Sequence, residues 1–214
     1  LYNVVATPGA LLRFARDAAL RSPLAPALVL GSIPGVVIGA VLRVEVLSGQ
    51  RALLLIVAAV LLPLGVSLLR GRRVRDERAV RDAARPDGWV SPLAGVIGIV
   101  GGLYGIGGGS LLSPLLVLAG FGIRAVAPAA LVTTLLTSVI GIAAFQVLAL
   151  IDGGGSIAPD WTLGLALGAG GLLGGYLGAS LSPRLPERVL RTILGCASIL
   201  IATKYLIDAF AESI

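Results

Sequence analysis

Long apolar segments separated by short polar ones dominate the chain and predict membrane-spanning helices. About 20 apolar residues are needed to cross a hydrocarbon core of about 30 Å. Five segments reach spanning length, from about Leu24 to Leu42, Ala52 to Leu69, Ala125 to Ile151, Trp161 to Leu181 and Val189 to Phe210. Leu1 to Leu12 is expected to be the tail of an earlier span. The pattern therefore predicts an all-α, polytopic membrane helix bundle.

The segment from Trp89 to Phe121 does not fit this pattern. Its 33 residues would form a helix of about 50 Å, because an α-helix rises about 1.5 Å per residue. Its centre holds five glycines within eight residues, namely Gly102, Gly105, Gly107, Gly108 and Gly109. Each glycine in the interior of a helix destabilises the helix by about 1 kcal/mol relative to alanine. We therefore predict a glycine-broken, re-entrant hairpin of two half-depth helices, Val90 to Gly101 and Ser110 to Phe121. A single tilted, broken crossing is the alternative.

The distribution of basic residues favours the hairpin, because Lys and Arg concentrate in cytoplasmic loops. The stretch 70–88 contains seven arginines and is predicted to be a cytoplasmic linker. With a hairpin at 89–121, fourteen basic residues lie inside and two outside, whereas a single crossing gives ten inside and six outside. Lys204 is left within a span. We expect it to snorkel and to pair with Asp208, four residues further along the helix.

Composition supports an integral membrane protein. The chain is 57% hydrophobic, has a mean hydropathy of +0.99 and is 13% charged, against about 25% charged residues in soluble domains. The net charge of +6 comes from arginines in short loops, so the expected partner is the lipid bilayer and not nucleic acid. The chain has no histidine, which excludes haem ligation through imidazole, most zinc sites and imidazole-dependent catalysis. Neither a cofactor nor an enzymatic activity is predicted, and the single cysteine, Cys196, allows no internal disulfide.

A glycine pattern recurs in the two halves of the chain. Gly31 to Ala40 matches Gly170 to Ala179 at an offset of 139 residues, and both read G-x-x-x-G-x-x-x-G. Such ladders let helix backbones approach closely. Under the hairpin topology the two copies run in opposite directions, which predicts inverted repeats of the kind found in transporters. The alternative is chance recurrence in a glycine-rich membrane protein.

The repeat predicts how the chain is divided. Residues 1–69 would form a partial first repeat, residues 70–88 the linker and residues 89–214 the second repeat. The second repeat opens with the glycine-rich segment, whereas the first shows no counterpart. We therefore expect a matching hairpin to precede Leu1.

The glycine-rich motif resembles a known family. GLYGIGGGSLLSPLLVLAG, followed by an alanine- and threonine-rich segment, resembles the TauE/SafE family of sulfite and sulfonate exporters. The matching positions are Gly102, Gly105, Gly107, Gly108, Gly109, Pro114 and Gly120. The opening LYNVVATPGALLRFAR is similar to the corresponding part of the family's first half, with Asn3, Pro8 and Arg13 in place. The resemblance covers essentially the whole chain. It implies a multi-pass protein of the inner cell membrane of a prokaryote that exports small sulfur-containing anions.

The candidate binding residues lie at the tip of the predicted hairpin. A helix that begins near Ser110 leaves its first backbone N–H groups unbonded and carries partial positive charge there. Gly107, Gly108 and Gly109 would let an anion touch the backbone, while Ser110 would cap the helix or donate its hydroxyl. Glycines that only aid packing are the alternative. Thr133 and Thr137 share one helical face, which lines a substrate path or packs against a neighbouring helix.

The sequence thus predicts a secondary transporter for a small anionic substrate. The alternatives are a proton- or cation-coupled importer on the same scaffold and a membrane scaffold without transport, and homo-oligomerisation is left open. No Asp or Glu lies in the middle of a predicted span, so no proton carrier is evident. We expect export to be driven by the membrane potential and the concentration gradient.

Overall fold

The fold is that of a computed structural model, which describes residues 1–16, 24–45, 50–70, 88–105, 107–152 and 161–211. No β-strand occurs in these residues. The helices are α1 (Tyr2–Arg16), α2 (Leu24–Glu45), α3 (Gln50–Leu69), α4 (Val90–Tyr104), α5 (Gly109–Leu118), α6 (Ile123–Asp152), α7 (Trp161–Leu181) and α8 (Glu187–Ala211), and a 3-10 turn over Ser182–Arg184 follows α7.

The helices agree with the predicted spans. Within the described residues, four are long and apolar enough to cross a membrane, over Leu24–Val44, Ala125–Ile151, Trp161–Arg184 and Arg188–Ala211. Shorter apolar helices cover Leu54–Leu69 and Val90–Tyr104. The prediction of an all-α, multi-pass membrane bundle is confirmed. Most of the predicted cytoplasmic linker, residues 71–87, lies outside the described residues.

Glycines bring the backbones of α2 and α4 into direct contact. A Cβ atom built on Gly31, Gly35 or Gly39 would lie 2.3, 2.1 or 2.2 Å from a carbonyl oxygen of α4. The carbonyl that each glycine meets moves along α4 from Ser91 to Ile99, so the two helices run in the same direction. Any side chain at these glycines would push the helices apart.

The α1–α7 pair is built in the same way. A Cβ on Gly9 would lie 2.1 Å from the carbonyl oxygen of Leu172, and Gly168 packs against Val5. Helix α2, assigned above to the first repeat, packs on α4 and α6 of the second, while α7 of the second packs on α1 of the first. The predicted halves therefore interleave, and both their boundary and their inverted relation remain predictions.

The α3–α8 pair completes the bundle. Gly65 packs against Ile199, and the Arg51 guanidinium lies 5.9 Å from the centre of the Phe210 ring. These contacts join the start of α3 to the end of α8, so the helices are antiparallel. The predicted Lys204–Asp208 pair forms, with 2.5 Å between Nζ and Oδ2.

Helix α5 occupies the centre of the apolar core. Leu112 and Leu116 are fully buried, in one cluster with Leu28 of α2, Val57 of α3 and Val126 of α6. In contrast, α7 and α8 carry exposed apolar side chains, including Leu163, Leu167, Leu173, Leu177, Ile193 and Leu200. Long apolar helices of this kind suit a bilayer environment, whereas a central ten-residue helix is too short to span one.

Candidate functional site

Helices α4 and α5 form a hairpin with a glycine-rich tip. Gly105 ends α4 in the left-handed conformation (φ 68°), and Gly107 also has positive φ (74°). At the open end of the hairpin the rings of Trp89 and Phe121 lie 6.1 Å apart. A single crossing would carry these two aromatic residues to opposite ends of the bundle, so the chain turns back within the segment.

Helix α5 is shorter than the sequence predicted, because it ends at Leu118 and not at Phe121. Gly120 has a φ of 100°, a conformation that side chains disfavour. The Phe121 N–H then donates to the Leu116 carbonyl at 3.0 Å, as in helix ends closed by a left-handed glycine. Gly120 is thus a helix terminator.

The tip glycines are packed tightly against their neighbours. A Cβ on Gly107 would lie 2.9 Å from Ser138 Oγ and 3.0 Å from Thr137 Oγ1. One on Gly109 would lie 2.2 Å from the Ala130 carbonyl oxygen and 2.4 Å from Thr134 Oγ1. The glycines therefore have a packing role, and substituting them changes the hairpin position as well as its chemistry.

Gly108, at the start of α5, and Gly102, within α4, act in the same way. A Cβ on Gly108 would lie 3.1 Å from Gly98 Cα, so the tip folds back closely on α4. A Cβ on Gly102 would lie 2.3 Å from the Val36 carbonyl oxygen of α2. These contacts hold the hairpin against the rest of the bundle.

A cavity of about 360 Å³, here called the tip cavity, opens beside the first turn of α5. None of its lining residues is charged. Four helices contribute, with Tyr2, Asn3, Ala6, Thr7 and Ala10 from α1, Gly109, Ser110 and Ser113 from α5, Ala127, Ala130, Leu131 and Thr134 from α6, and Gly171 and Gly175 from α7. Its volume lies within the range of small-molecule sites.

Ser110 lies at the cavity but does not cap α5. Its hydroxyl donates to the Gly107 carbonyl at 3.2 Å, and the N-cap residue is Gly108, without a side-chain cap. The capping alternative is therefore wrong, because the serine lies inside the first turn, where its hydroxyl reaches back to a carbonyl. The first N–H groups of an α-helix have no partner within the helix, and here they are next to the tip cavity.

Pro114 lies deeper in α5 than the first turn. It is the sixth residue of Gly109–Leu118 and is buried. In an α-helix the carbonyl of Ser110 would accept from the N–H of the residue four positions later. That residue is Pro114, which has no N–H. The Ser110 carbonyl therefore lacks the donor that a regular helix would supply.

The two predicted threonines of α6 do not line the tip cavity. Thr133 and Thr137 are fully buried and donate to the Ala129 and Thr133 carbonyls at 2.9 and 2.6 Å. Their hydroxyls are thus satisfied within the helix. Thr134 lines the cavity instead, because one residue rotates the helical face by about 100°. Thr137 still contacts the tip through Gly107.

Four polar residues of the tip cavity were not singled out from the sequence, namely Tyr2, Thr7, Ser113 and Thr134, and Asn3 was named only as a motif residue. Thr7 follows Asn3 by four residues, and Ser113 follows Ser110 by three, so each pair shares a helical face. This helical spacing was the only feature of the sequence that could have indicated Thr7 and Ser113 as candidate site residues. Which faces meet around one cavity depends on the α1–α7 and α5–α6 contacts.

Ser138 is a further polar group at the tip. It is 4% exposed, and its Oγ has no hydrogen-bond partner in the part of the chain that the structure describes. A buried hydroxyl without a partner costs about 1–3 kcal/mol, and such groups call for an explanation. The oxygen lies beside Gly107 and so belongs to the surroundings of the hairpin tip.

The other end of α5 contacts a buried cation. Arg191 of α8 is 9% exposed, and its Nη2 donates to the Val117 carbonyl at 3.4 Å. A cation near the C-terminus of a helix complements the negative end of its dipole. Helix α5 is therefore held at its C-terminal end by a hydrogen bond from a charged side chain and at its N-terminal end by glycine packing.

The comparisons with known proteins identify one family. A family model described as Sulfite exporter TauE/SafE matches residues 1–205. No curated protein and no solved structure matches the chain.

Proposed function

Because the chain belongs to the sulfite exporter TauE/SafE family, we propose that it exports small sulfur-containing anions such as sulfite and sulfonates across the inner membrane of a prokaryote. The observation that carries the proposal is the uncharged tip cavity at the N-terminus of α5, where Asn3, Thr7, Ser110 and Thr134 add polar groups to a mainly apolar lining. Anions are favoured at such a terminus by free N–H groups and by the helix dipole.

The chemistry of the cavity suits binding followed by release. An anion beside Gly109 and Ser110 would accept hydrogen bonds from the first turn of α5, and Asn3, Thr7 and Thr134 supply further polar groups. A helix N-terminus contributes about 0.3–1 kcal/mol to a nearby anion, and up to about 2 kcal/mol in partly buried geometries. Without a full positive charge, the site would bind weakly enough to let the anion leave.

The placement of the hairpin supports a re-entrant arrangement. Trp89 and Phe121 lie at one end of the bundle, and Arg191 contacts the α5 terminus at that same end. The positive-inside rule assigns that end to the cytoplasm. The tip would then lie within the membrane, where irregular backbone is tolerated only when protein or a cavity covers it. The packed glycines and the tip cavity meet that condition.

The driving force of export follows from the charges. No described residue that lines the tip cavity is acidic or basic, so proton coupling through this cavity lacks a carrier among them. An anion that leaves a negative cell interior gains about 2.3 kcal/mol per charge for each 100 mV. Efflux should therefore continue with pH clamped while the potential is maintained, and efflux abolished by the pH clamp alone would refute this mode of coupling.

The test is flux of labelled sulfite, sulfate and taurine in proteoliposomes, with Thr134→Val compared to its neighbour Thr133→Val. Both substitutions remove one hydroxyl and keep the shape, but only Thr134 lines the tip cavity. A hydrogen bond to a charged group contributes about 1.5–3 kcal/mol, so Thr134→Val should slow sulfite transport about tenfold or more. Thr133→Val should transport almost normally.

Each other outcome has a definite meaning. Wild-type vesicles that move none of the three solutes would refute transport and favour a membrane scaffold. Accumulation that requires an inward proton or cation gradient would favour the coupled importer. Equal flux in the two threonine variants would remove the tip cavity from the substrate path.

A further inference from the structure

The Ser138 hydroxyl is directed differently from other hydroxyls in the helices of this chain. A helical serine or threonine commonly donates to the carbonyl four residues earlier. Within the described residues this bond is made by Thr133, Thr137, Ser180, Thr192 and Ser198. The Ser138 hydroxyl instead lies beside Gly107 of the hairpin tip, where no described residue bonds it. It is therefore free to bond a group that the tip presents in another arrangement.

Gly107 lies close to two serine hydroxyls. Its carbonyl accepts from Ser110 Oγ at 3.2 Å, and a Cβ built on it would lie 2.9 Å from Ser138 Oγ. The peptide group between Gly107 and Gly108 is thus next to one hydroxyl that is bonded to it and one that is not. If this peptide group rotated so that its carbonyl pointed at Ser138, Ser138 would gain an acceptor and the Ser110 hydroxyl would be released.

The two glycines permit this rotation. Type I and type II turns differ by the same rotation of one peptide group, which gives the residue after it a positive φ. Gly107 already has a φ of 74°, and the φ of Gly108, now −67°, would become positive. A positive φ is unfavourable for residues that carry a Cβ. A glycine at position 108 therefore leaves both orientations of the peptide group accessible.

The rotation would also change the charge that faces an anion. In the present arrangement the Gly107 carbonyl oxygen points at Ser110, which lines the tip cavity, and its partial negative charge repels an anion there. The N–H of a trans peptide group points opposite to its carbonyl. Rotation therefore replaces the carbonyl oxygen with the Gly108 N–H, which attracts an anion.

We propose that Ser138 is a positioning residue for the anion: when an anion enters the tip cavity, the Gly107–Gly108 peptide group rotates, its carbonyl accepts from Ser138, and the Ser110 hydroxyl and Gly108 N–H turn to the anion. This inference rests on the proposed function, since it concerns the binding step at the same site. Ser138 itself does not touch the anion. It stabilises the arrangement of the tip that binds.

The test is the concentration dependence of sulfite efflux from proteoliposomes for Ser138→Ala. The KM should rise about twofold to tenfold, which corresponds to the net contribution of one hydrogen bond. The maximal rate should stay close to wild type, because a smaller binding-competent fraction weakens the apparent affinity. The Tm should match or exceed wild type, since a buried hydroxyl without a partner is removed.

The matched control for the lost hydroxyl is Ser198→Ala. Ser198 is as buried as Ser138, at 4% exposed, but its hydroxyl donates to the Leu194 carbonyl at 2.8 Å and it does not line the tip cavity. Its KM should equal that of wild type.

A second variant tests the rotation itself. Gly108→Ala is compatible with the present φ of −67° and disfavours the rotated arrangement, so it should raise the KM by a similar factor or more. Adding Ser138→Ala to it should cause no further rise, because both changes act on the same step. Gly95→Ala controls for packing, since its methyl would lie 3.3 Å from the Gly31 carbonyl oxygen, compared with 3.1 Å from Gly98 Cα for Gly108→Ala. It should keep the wild-type KM.

The results that overturn the proposal are distinct from those that overturn transport. A wild-type KM in Ser138→Ala, or in a folded Gly108→Ala, would end the proposal and leave the proposed function standing. A lower Tm and maximal rate in Ser138→Ala with an unchanged KM would assign Ser138 to packing and would also end it. Ser138→Ala decides alone if Gly108→Ala does not accumulate. Wild-type vesicles that move no sulfite would refute the proposed function and this inference with it.

Discussion

The two glycine ladders of this protein have the same sequence spacing and opposite surroundings. Gly31, Gly35 and Gly39 of α2 each contact a carbonyl oxygen of α4. The contact is so close that a Cβ atom at any of the three positions would clash with that oxygen. Their counterparts 139 residues later in α7, namely Gly170, Gly174 and Gly178, have no neighbouring atom within 4 Å of a built Cβ. One ladder is a helix contact and the other is an open surface.

The difference shows that a glycine ladder permits close packing but does not cause it. Helix α7 does pack closely, but through the adjacent positions Gly171 and Gly175, which meet Ala6 and Ala10 of α1. A shift of one residue turns a helical surface by about 100°. In a bilayer, association depends on fitted van der Waals contacts more than on burial of apolar area, so only a partner of matching shape makes use of the ladder.

The largest effect should come from leucine in the packed ladder. Gly35→Leu sets a side chain where even a Cβ would lie 2.1 Å from the Gly95 carbonyl oxygen. Overpacking costs about 1–3 kcal/mol and occasionally more. The contact here is with the helix backbone, which cannot move aside as a flexible side chain could, so we expect the upper end of this range. We expect a fall in Tm of about 6–12 °C, or failure to accumulate, since 1 kcal/mol shifts Tm by about 2–4 °C at this chain length.

The matched control for that substitution lies at the equivalent position of the open ladder. Gly174→Leu enters open space and removes a poor helix former, so its Tm should match or exceed wild type. Thermal unfolding of both variants in the same detergent makes the comparison. An equal loss of Tm in both variants would mean that another part of the protein packs against the open ladder.

The second prediction concerns the other attachment of the hairpin. Arg191→Met removes the charged donor to the Val117 carbonyl at the end of α5, and hydrogen bonds to charged groups contribute about 1.5–3 kcal/mol. We expect a Tm lower by about 3–12 °C. Arg188→Met, at an exposed position three residues earlier, should have almost no effect. If both variants unfold at the wild-type temperature, α5 is held by its glycines alone.

The third prediction contrasts two neighbouring glycines of α7. In Gly171→Ala the added methyl would lie 2.6 Å from Ala6 Cβ and 2.7 Å from the Tyr2 hydroxyl, whereas Gly170→Ala meets nothing within 4 Å. The first should destabilise by about 1 kcal/mol, and the second should stabilise by up to about 1 kcal/mol, because alanine favours a helix. Parallel thermal unfolding curves test the opposite signs. Shifts of the same sign would contradict the α1–α7 packing described above.

The smallest effect is expected from Thr137→Val. Its hydroxyl donates to a carbonyl of its own helix, and valine keeps the shape that packs against Gly107. A change below about 1 kcal/mol is expected in unfolding, with sulfite flux close to wild type. A large loss of flux with normal stability would bring Thr137 back into the substrate path.

The sequence was most informative where a local property decides the outcome. Apolar length places the spans within a few residues, and the glycine cluster at 102–109 locates the turn between α4 and α5. The Lys204–Asp208 pair follows from spacing alone. The position of Ser110 near a helix start was also predictable, although its hydroxyl bonds the Gly107 carbonyl and does not cap the helix.

The candidate site was less predictable, because it is made where four helices meet. Thr133 and Thr134 are adjacent and chemically identical, and only the position of α6 against α1 and α5 makes Thr134 the one at the cavity. Asn3 and Ser110 are more than 100 residues apart, and the contacts of α1 with α7 and of α5 with α6 bring them to the same space.

The sequence by itself determined that the chain is a glycine-rich membrane bundle of the TauE/SafE type that turns at residues 102–109, because hydropathy, helix length and glycine conformation act on neighbouring residues. Only the tertiary structure decided which of two equal glycine ladders is packed and which threonine faces the tip cavity. Those outcomes depend on the rotation and register of helices that are distant in sequence, and a rotation of one residue exchanges the residues that meet.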